Sequence, residues 1–399
     1  MLVFILNAGS SSLKYQLMNP VSKETLAVGL CERIGIDGVI KHEFGEDQKL
    51  KLEVSMPTHK EAIELVLKTL TDGEGKVIDS IDDIQAIGHR AVHGGEEFAG
   101  SVMVTDKVIE KMKELIPLAP LHNPANIMGM EICQQLMPGK PNVAVFDTAF
   151  HQTMPDYAYM YALPYDQYTK NGVRKYGFHG TSHFFVSNEA AKMLDKKHNT
   201  RIIVCHLGNG SSVSAVFDGK CIDTSMGLTP VQGLMMGTRA GDVGAGAIQY
   251  MMDTEGWDIK EMLDVLNKKS GIVGVSGKSS DLREVLEGME EGDERCRLAV
   301  DMIAYRIKQY IGSYAAALDG VDALCFTGGI GENAAIIREK VCAGLDYMGL
   351  NIDPVKNNKR CGDARDISTN GSSGRIFVIP TNEEYVIAND TYKIVKGVE

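Results

Sequence analysis

Two short segments of the chain carry the same combination of glycine, serine and asparagine. The first spans residues 7–14 (NAGSSSLK), and the second spans residues 208–212 (GNGSS), with Gly210 standing 201 positions after Gly9. Glycine lets backbone N–H groups approach a ligand closely, and such N–H groups together with hydroxyls form an anion-binding turn. Either segment alone could be an ordinary polar hairpin turn. Their recurrence, each after an apolar run, favours two phosphate-binding turns, the pattern of a protein that transfers phosphoryl groups.

Two arginines stand next to glycines. Arg90 lies between His89 and His93 and is soon followed by two glycines, while Arg239 lies in the sequence GTRAGD of residues 237–242. An arginine among glycines has few neighbouring side chains to pack against. Its guanidinium binds carboxylate or phosphoryl oxygens through paired hydrogen bonds. We therefore expect both arginines to bind anions, and we interpret the two histidines as ordinary strand residues.

His179 and His183 are four residues apart, a spacing that raises the question of a zinc site. The sequence FHGTSH lacks the glutamate of the HExxH motif, and only His183 falls clearly within the expected helix. We expect His179, just before that helix, to donate a hydrogen bond to an anion. Asp147 follows a short apolar strand, where it could be a helix cap or a structural acceptor. A carboxylate at the carboxyl edge of a sheet favours ligand contact instead.

Two further polar segments also follow expected strands. Residues 328–333 (GGIGEN) suit a nucleotide lying against backbone and a helix N-terminus, although a glycine-rich turn alone is a weak signal. Glu383 and Glu384 follow the last strand, and one of these carboxylates is expected to contact magnesium directly or through water. The alternative is a helix first turn, where the helix dipole favours glutamate in any case.

Hydrophobic periodicity predicts strands alternating with helices, and hence an α/β protein. Strands are expected within residues 1–17, from about residue 84 into residues 89–95, and over residues 142–146, 323–327 and 375–379. Helices are expected over residues 61–70, 106–116, 123–136, about 181–196, 294–318 and 383–395. Residues 217–220 (FDGK) predict a tight hairpin. Asn123 is expected to cap its helix with Pro124 in the first turn, and Thr181 or Ser182 to cap the helix that follows residue 180.

The composition, with 44% hydrophobic and 24% charged residues in 399, is that of a soluble globular protein. The length and the duplication predict two domains, residues 1–150 with a returning C-terminal helix at 382–399, and residues 151–381. The net charge of −12 argues against nucleic acid or a membrane surface as a partner. Eight scattered cysteines without a CxxC pair, no basic leader and no apolar run of membrane-spanning length predict a cytoplasmic enzyme.

Together, these motifs resemble those of the acetate kinase family, a member of the sugar kinase, Hsp70 and actin superfamily. The resemblance covers essentially the whole chain and rests on residues 7–14, 89–95, 178–183, 206–210, 281–283 and 328–333. It implies two duplicated domains of the actin/Hsp70/sugar kinase (ribonuclease H-like) type, with a nucleotide cleft between them. It also suggests a homodimer.

The resemblance implies that the first domain carries substrate and phosphate sites and that the second binds the nucleotide. The first phosphate site would comprise Asn7, Ser10, Ser12 and Lys14. The cofactor-binding set of the second domain would comprise His206, Leu207, Gly208, Asn209, Gly210, Asp281, Leu282, Arg283, Gly329, Ile330, Gly331, Glu332 and Asn333.

For the chemistry, the resemblance implies that Arg90 binds the substrate carboxylate and that Asp147 is the catalytic carboxylate. His179 and Arg239 would stabilise the transferring phosphoryl group. Asn7 and Glu383 would be the magnesium-associated positions, with Glu384 an open alternative to Glu383. The methyl group of acetate would lie in a pocket formed by Val92, Leu121, Phe178 and Pro230.

The expected reaction is the Mg²⁺-dependent transfer of the ATP γ-phosphoryl group to acetate, giving ADP and acetyl phosphate by direct in-line displacement. Propionate or butyrate kinase is the nearest alternative, because one extra methylene in the substrate changes the free energy of binding in the pocket by only about 1–3 kcal/mol. A non-catalytic nucleotide switch of the actin or Hsp70 type is a second alternative. Such a switch needs a polymer interface or a peptide-binding domain, and it has no use for paired arginines beside a small apolar pocket.

Overall fold

The computed structural model describes residues 1–46 and 48–398 and forms two compact units. Unit 1 consists of Met1–Ala149 with Asn382–Glu399, and unit 2 consists of Phe150–Thr381. The strands of unit 1 are β1 Leu2–Ala8, β2 Ser12–Asn19, β3 Glu24–Glu32, β4 Val39–Phe44, β5 Gln48–Glu53, β6 Ile84–Ala91, β7 Val102–Met103 and β8 Asn142–Phe146. Its helices are α1 His59–Thr71, α2 Asp106–Glu114, α3 Asn123–Leu136 and α15 Glu383–Lys396.

The strands of unit 2 are β9 Arg201–Leu207, β10 Ser211–Phe217, β11 Lys220–Thr224, β12 Ala323–Thr327, β13 Arg365–Asp366 and β14 Arg375–Val378. Its helices are α4 Asp156–Tyr159, α5 Asp166–Asn171, α6 Gly180–Met193, α7 Ala245–Glu255, α8 Ile259–Asp264, α9 Gly271–Ser276, α10 Leu282–Glu290, α11 Glu294–Ala317, α12 Gly328–Asn333, α13 Ala335–Cys342 and α14 Pro354–Asn358. Across the described residues of both units, none of the helices combines the length and apolar character needed to span a membrane.

The first sheet is covered by helices on both faces. Its strand order is β5-β4-β3-β2-β1-β6-β8-β7. Along β1, Phe4 and Leu6 pack with α1 and α3, whereas Val3 and Ile5 pack with α15. This alternation is that of a strand whose successive side chains point to opposite faces, and each fully buried apolar side chain contributes about 1.5–3 kcal/mol. The central strand is therefore apolar from Leu2 to Leu6, because both of its faces are covered there.

The second sheet has the same construction, with strand order β11-β10-β9-β12-β14-β13. Along β9, Ile203 and Cys205 pack with α11, whereas Ile202 and Val204 pack with α6. The order β3-β2-β1-β6-β8 in unit 1 matches the order β11-β10-β9-β12-β14 in unit 2, with the same parallel and antiparallel pairings. The duplicated α/β architecture expected from the two glycine-rich segments is confirmed, and each segment is the turn of the first hairpin of its unit.

The expected helix caps are wrong in two places. Asn123 lies inside α3, which shows no side-chain cap, and its side chain instead hydrogen-bonds both the N–H and the carbonyl of His93. Neither Thr181 nor Ser182 caps α6, because the helix begins at residue 180 after His179 in the left-handed conformation. For Asn123, a tertiary contact thus replaces the capping role that local propensity predicted. The hairpin at residues 217–220 is confirmed, with residues 218 and 219 both at positive φ.

Candidate active site

The turn of the first hairpin is held from behind by two helices. Gly9 N–H donates to the Ser12 carbonyl at 2.8 Å, and the Gly9 carbonyl accepts from His59 Nε2 of α1 at 2.7 Å. On the same turn, Asn126 Nδ2 of α3 donates to the Ala8 carbonyl at 3.1 Å. Because its carbonyls are occupied in this way, the turn has a fixed shape before any ligand binds.

Arg90 and Asp147 form a two-pronged ion pair at the carboxyl ends of the adjacent parallel strands β6 and β8. Arg90 Nη2 donates to Asp147 Oδ2 at 2.5 Å, and Arg90 Nε donates to Asp147 Oδ1 at 3.1 Å. The Asp147 side chain is 1% exposed, whereas that of Arg90 is 25% exposed. Burial raises the pKa of Asp147, and the charge of Arg90 opposes that rise. Asp147 is thus an internal partner of a guanidinium that solvent and an anion can reach.

The remaining face of the Arg90 guanidinium is held only loosely. Arg90 Nη1 donates to Asn7 Oδ1 at 3.4 Å, which is longer than a normal N–H···O hydrogen bond. Asn7 is in register with Lys14 across the first hairpin, so the two side chains share one face. The structure therefore brings Arg90, Asp147 and Asn7 together in one group, as their predicted roles require.

Glu383 is the first residue of α15 and belongs to the same group. Asn382 caps this helix by accepting a hydrogen bond from the Tyr385 N–H at 2.9 Å. Burial raises the pKa of Glu383 to about 7, Arg90 opposes the rise, and the negative charge of Asp147 adds to it. A carboxylate that is destabilised by burial and by a second carboxylate gains from a nearby cation.

The residues of the expected methyl pocket are divided between the units. Val92 is buried in unit 1, and its N–H donates to Asn126 Oδ1 at 3.0 Å. Leu121, also in unit 1, is 77% exposed. Phe178 and Pro230 belong to unit 2, where Phe178 is buried. Within each unit the positions are defined, and their assembly into one pocket stays a prediction.

His179 and Arg239, the two residues expected to stabilise the transferring phosphoryl group, both lie next to the second hairpin turn. A β-carbon placed on Gly210 would lie 3.4 Å from both His179 Nε2 and Arg239 Nη1. Arg239 Nη1 donates to the Pro230 carbonyl at 3.3 Å, and burial lowers the pKa of Arg239. The loop that carries Arg239 is tied to the turn, because the Gly237 N–H donates to the Asn209 carbonyl at 3.0 Å. One side of Gly210 therefore faces a nitrogen of the His179 ring and a nitrogen of the Arg239 guanidinium.

His179 is held in an uncommon backbone conformation. Its φ of 57° lies in the left-handed region, which non-glycine residues seldom adopt and which often marks a functional position. Its ring stacks on that of His206 with 4.4 Å between centroids. Both ring nitrogens of His183 contact hydroxyls, those of Ser212 and Ser214. In this arrangement His183 has no ring nitrogen directed at a metal ion shared with His179. In the described residues no three His, Cys, Asp or Glu side chains are grouped so as to hold a metal ion.

A cavity of about 1320 Å³ opens next to the second turn, which is large enough for a nucleotide. Nine of the predicted nucleotide-binding residues line it: Gly208, Asn209, Asp281, Leu282, Arg283, Gly329, Ile330, Glu332 and Asn333. The other four predicted positions, His206, Leu207, Gly210 and Gly331, do not line it. Gly328, at φ +75°, makes the turn from β12 into α12, where a β-carbon would lie 2.6 Å from the Leu207 carbonyl.

Arg338 was not foreseen as part of this cavity. It is buried in α13 and lines the cavity, donating to the Gly331 carbonyl at 2.7 Å and the Glu332 carbonyl at 2.9 Å. Through its other nitrogens it donates to Asn357 Oδ1 and the Asn357 carbonyl at 2.7 and 2.8 Å. Arg338 therefore joins α12 to residues 357–362, a second wall that sequence reasoning missed. Arg338 stands three and four residues before the buried Val341 and Cys342 in the same helix. This helical spacing places the three side chains on one face and was the available signal that Arg338 points inward.

The fold and the site define a class before any relative is considered. Two copies of one α/β core, each with a glycine-rich hairpin turn, and a nucleotide-sized cavity beside one turn are features of the sugar kinase, Hsp70 and actin superfamily. A model of the acetokinase family matches residues 2–389. The chain belongs to the acetokinase family and is a phosphotransferase of the kinase type.

Individual relatives match along their whole lengths. Acetate kinase from Agathobacter rectalis is 55% identical over 98% of this chain and 99% of that protein. The crystal structure of Porphyromonas gingivalis acetate kinase superposes with a TM-score of 0.96 at 49% identity, covering 99% of each chain. A propionate kinase structure from Francisella tularensis subsp. tularensis has a TM-score of 0.92 at 43% identity, covering 98% of this chain and 99% of that one.

Proposed function

We propose that this protein is an acetate kinase that transfers the γ-phosphoryl group of ATP to acetate and works reversibly. The observation that carries the proposal is the convergence of His179 Nε2 and Arg239 Nη1 on Gly210, next to a nucleotide-sized cavity. A guanidinium and an imidazole nitrogen that converge beside a glycine-rich turn suit an anion whose charge is spread over several oxygens, as in a transferring phosphoryl group.

In this proposal unit 2 binds ATP. The cavity residues contact the nucleoside and its phosphates, and the turn at residues 208–210 receives the phosphate chain. The loss of one preorganised donor of this kind typically costs about 3–4 kcal/mol of barrier, so His179 and Arg239 each supply a large share of the rate.

Unit 1 binds the acid. The Nε and Nη2 prongs of Arg90 are occupied by Asp147, so the substrate carboxylate is bound from the Nη1 side, where the contact to Asn7 is weak. Ser10, Ser12 and Lys14 extend the same anion-binding face as the first phosphate site. A carboxylate is ionised at neutral pH and needs no general base.

The chemical step follows from these roles. A carboxylate oxygen of acetate forms a bond to the γ-phosphorus, and the bond from that phosphorus to the β,γ-bridging oxygen breaks as ADP leaves. No proton is transferred in this step. Asp147 orients Arg90 through the ion pair and is a positioning carboxylate rather than a proton acceptor, because both of its oxygens are engaged by the guanidinium.

The donor set near Arg90 fits Mg²⁺, which prefers oxygen ligands and is usually held by one or two carboxylates with substrate phosphates. Glu383 and Asn7 would contact it directly or through water, and Mg²⁺ would neutralise charge on the phosphates. Glu383 is the better choice of the two glutamates because burial raises the pKa of its carboxyl, which also interacts electrostatically with Arg90 and Asp147, whereas Glu384 is exposed.

Propionate kinase is the second candidate, because the propionate kinase from Francisella tularensis shares the fold at a TM-score of 0.92. Val92, Leu121, Phe178 and Pro230 would form the pocket for the methyl group of acetate. Val92 is buried and its backbone N–H is bound by Asn126 Oδ1, and a branched side chain at this position favours the smaller acid.

We also propose that the protein is a cytoplasmic homodimer. All eight cysteines lie in the described residues and are free, and seven of them are buried, as expected in a reducing compartment. Helix α7 (AGAIQYMMDTE) buries none of its residues, and its Tyr250 is 72% exposed. An exposed apolar helix face of this kind suits a second copy of the chain. Light scattering of the wild type and of Tyr250→Glu tests the dimer.

The function is tested with Mg-ATP and a series of acids: acetate, propionate and butyrate, with glycerol as a control. The highest kcat/KM on acetate, with an acyl phosphate that hydroxylamine traps, supports the proposal. A preference for propionate or butyrate would keep the mechanism and replace the substrate. ATP turnover indifferent to every acid would contradict it. Arg90→Ala should lower kcat/KM for acetate at least about 100-fold, whereas Arg33→Ala, which removes an exposed ion pair with Asp37, should not.

A further inference from the structure

A row of buried hydroxyls and rings lies behind the second hairpin turn, and the proposed reaction uses only its last member. His179 Nδ1 lies 2.9 Å from Ser212 Oγ, and the same oxygen lies 2.7 Å from His183 Nε2. On the other side of that ring, His183 Nδ1 lies 2.7 Å from Ser214 Oγ. Ser212, His183 and Ser214 are completely buried. The row begins inside unit 2 and ends at the ring whose Nε2 faces Gly210.

The protons in this row are not independent of one another. A serine hydroxyl carries one proton, so Ser212 donates to only one of its two ring neighbours. A neutral imidazole donates from one nitrogen and accepts at the other. Burial, aided by His151 and His206, lowers the pKa of His183 well below its ordinary value, so this ring is neutral. The direction of any one hydrogen bond therefore fixes the direction of the others.

The buried end of the row sets that direction. Within the described residues, Ser214 Oγ hydrogen-bonds only His183 Nδ1, and a buried hydroxyl seldom leaves its proton without an acceptor. Ser214 therefore donates to His183 Nδ1, and His183 carries its own proton on Nε2. His183 Nε2 then donates to Ser212 Oγ, and Ser212 donates to His179 Nδ1. In neutral His179, the proton is left on Nε2.

We propose that Ser214, His183 and Ser212 are positioning residues that hold His179 in its Nε2–H tautomer. In this tautomer the ring presents a donor at Gly210, where the proposed function places the transferring phosphoryl group. With the row reversed, neutral His179 would present a lone pair there and repel the phosphoryl oxygens. The proposal rests on the proposed function for the identity of that anion, whereas the tautomer is a property of the protein alone.

The surroundings of His179 support a fixed ring rather than a mobile one. The stacking on His206, with centroids 4.4 Å apart, restricts rotation of the ring. His206 is itself held, since Ser182 Oγ lies 2.8 Å from its Nδ1. The carbonyl of Phe178, the residue before His179, accepts from His151 Nε2 at 2.9 Å and fixes the backbone. Only the proton position remains to be set, and the row of hydrogen bonds sets it.

The tautomer is measured by two-bond ¹H–¹⁵N correlation spectra of protein labelled with ¹⁵N-histidine, recorded at a pH where the ring is neutral. The chain has 10 histidines, and the signals of residue 179 are assigned from their loss in His179→Asn. We expect a protonated Nε2 and an unprotonated Nδ1 in the wild type. A wild-type spectrum with the proton on Nδ1 would overturn the proposal.

Two variants test whether Ser214 sets the direction of the hydrogen bonds in the row. Ser214 makes no direct contact with His179, so an effect on the His179 tautomer would have to pass through His183 and Ser212. Ser214→Ala should convert His179 to a mixture of tautomers and lower kcat about two- to tenfold, with the KM values for ATP and acetate unchanged. Ser214→Thr, which keeps the hydroxyl on a β-strand, should retain both the tautomer and kcat. Ser187→Ala is the matched control, because this buried hydroxyl donates to the Phe184 carbonyl within α6.

An unchanged tautomer in folded Ser214→Ala would refute the role of Ser214 as the origin of the direction. If Ser214→Ala does not fold, the wild-type spectrum and Ser214→Thr still decide, since a lost Nε2–H tautomer in the threonine variant contradicts the proposal. Failure of the proposed function is separate, because it would appear as absent acyl phosphate in the wild type whatever its tautomer.

Discussion

Replacing Asp147 with asparagine is the most informative change in unit 1. The amide of Asp147→Asn would keep the shape of the side chain but place either an uncharged oxygen or an NH₂ group where the carboxylate oxygen now lies, 2.5 Å from Arg90 Nη2. Removing one partner of a buried ion pair costs about 3–5 kcal/mol. Because Arg90 is 25% exposed and water solvates part of its charge, we expect the lower end, about 3 kcal/mol.

This free energy should appear in two measurements. Urea unfolding should show Asp147→Asn to be about 3 kcal/mol less stable, and kcat/KM for acetate should fall about 100-fold because the guanidinium is no longer oriented. The KM for ATP should change much less, since the cavity proposed to bind the nucleotide lies in unit 2.

A double-mutant cycle with Arg90→Met separates positioning from an independent role. If Asp147 acts through Arg90, then Asp147→Asn should have little further effect on kcat/KM once the arginine is gone. Effects that multiply in the double variant would show that Asp147 acts on the substrate by itself, and they would refute the reasoning.

Three further changes test other parts of the structure. Gly210→Ala should leave the unfolding free energy nearly unchanged, since the φ of Gly210 is ordinary and the new β-carbon meets neighbours only at 3.4 Å. It should lower kcat at least about 100-fold by filling the proposed position of the phosphoryl group, and an equal loss in Gly312→Ala, where the β-carbon meets nothing, would contradict this. Arg338→Met should raise the KM for ATP about tenfold by releasing its four hydrogen bonds, with the KM for acetate unchanged. Arg306→Met, at an exposed position of α11, should change neither KM. Burial lowers the pKa of His89 from 6.5 to about 4, so the unfolded chain binds a proton between these values that the folded protein excludes. Stability should fall as the pH drops through this range, by about 3 kcal/mol for this residue, and less steeply in His89→Gln; equal slopes in urea unfolding at several pH values would disprove it.

The sequence predicted the framework of both units because the relevant signals are local. The recurring glycine-serine turns, the apolar runs before them and the Asp-Gly hairpin depend on neighbouring residues, and the structure confirms all three. Strands β3–β5 and helices α7–α10 were not foreseen, although β5 (QKLKLE) alternates polar and apolar residues and α10 carries Leu282, Val285 and Met289 at helical spacing.

The parts that were missed depend on distant contacts. Asn123 binds the backbone of His93 instead of capping a helix, and Arg338 builds a cavity wall with residues 357–362. The serine at position 214 gave no signal in sequence, because its partner His183 lies on a different element. Local propensity cannot reveal a hydrogen bond whose partner is 31 residues away.

The central claim is that acetate attacks the γ-phosphorus directly, with the protein supplying orientation and charge. It is tested most directly by the stereochemistry of transfer from ATP made chiral at the γ-phosphorus with ¹⁶O, ¹⁷O and ¹⁸O. A single in-line displacement predicts acetyl phosphate with inverted configuration at phosphorus. Retention would show two successive displacements through a phosphorylated side chain and would contradict the account.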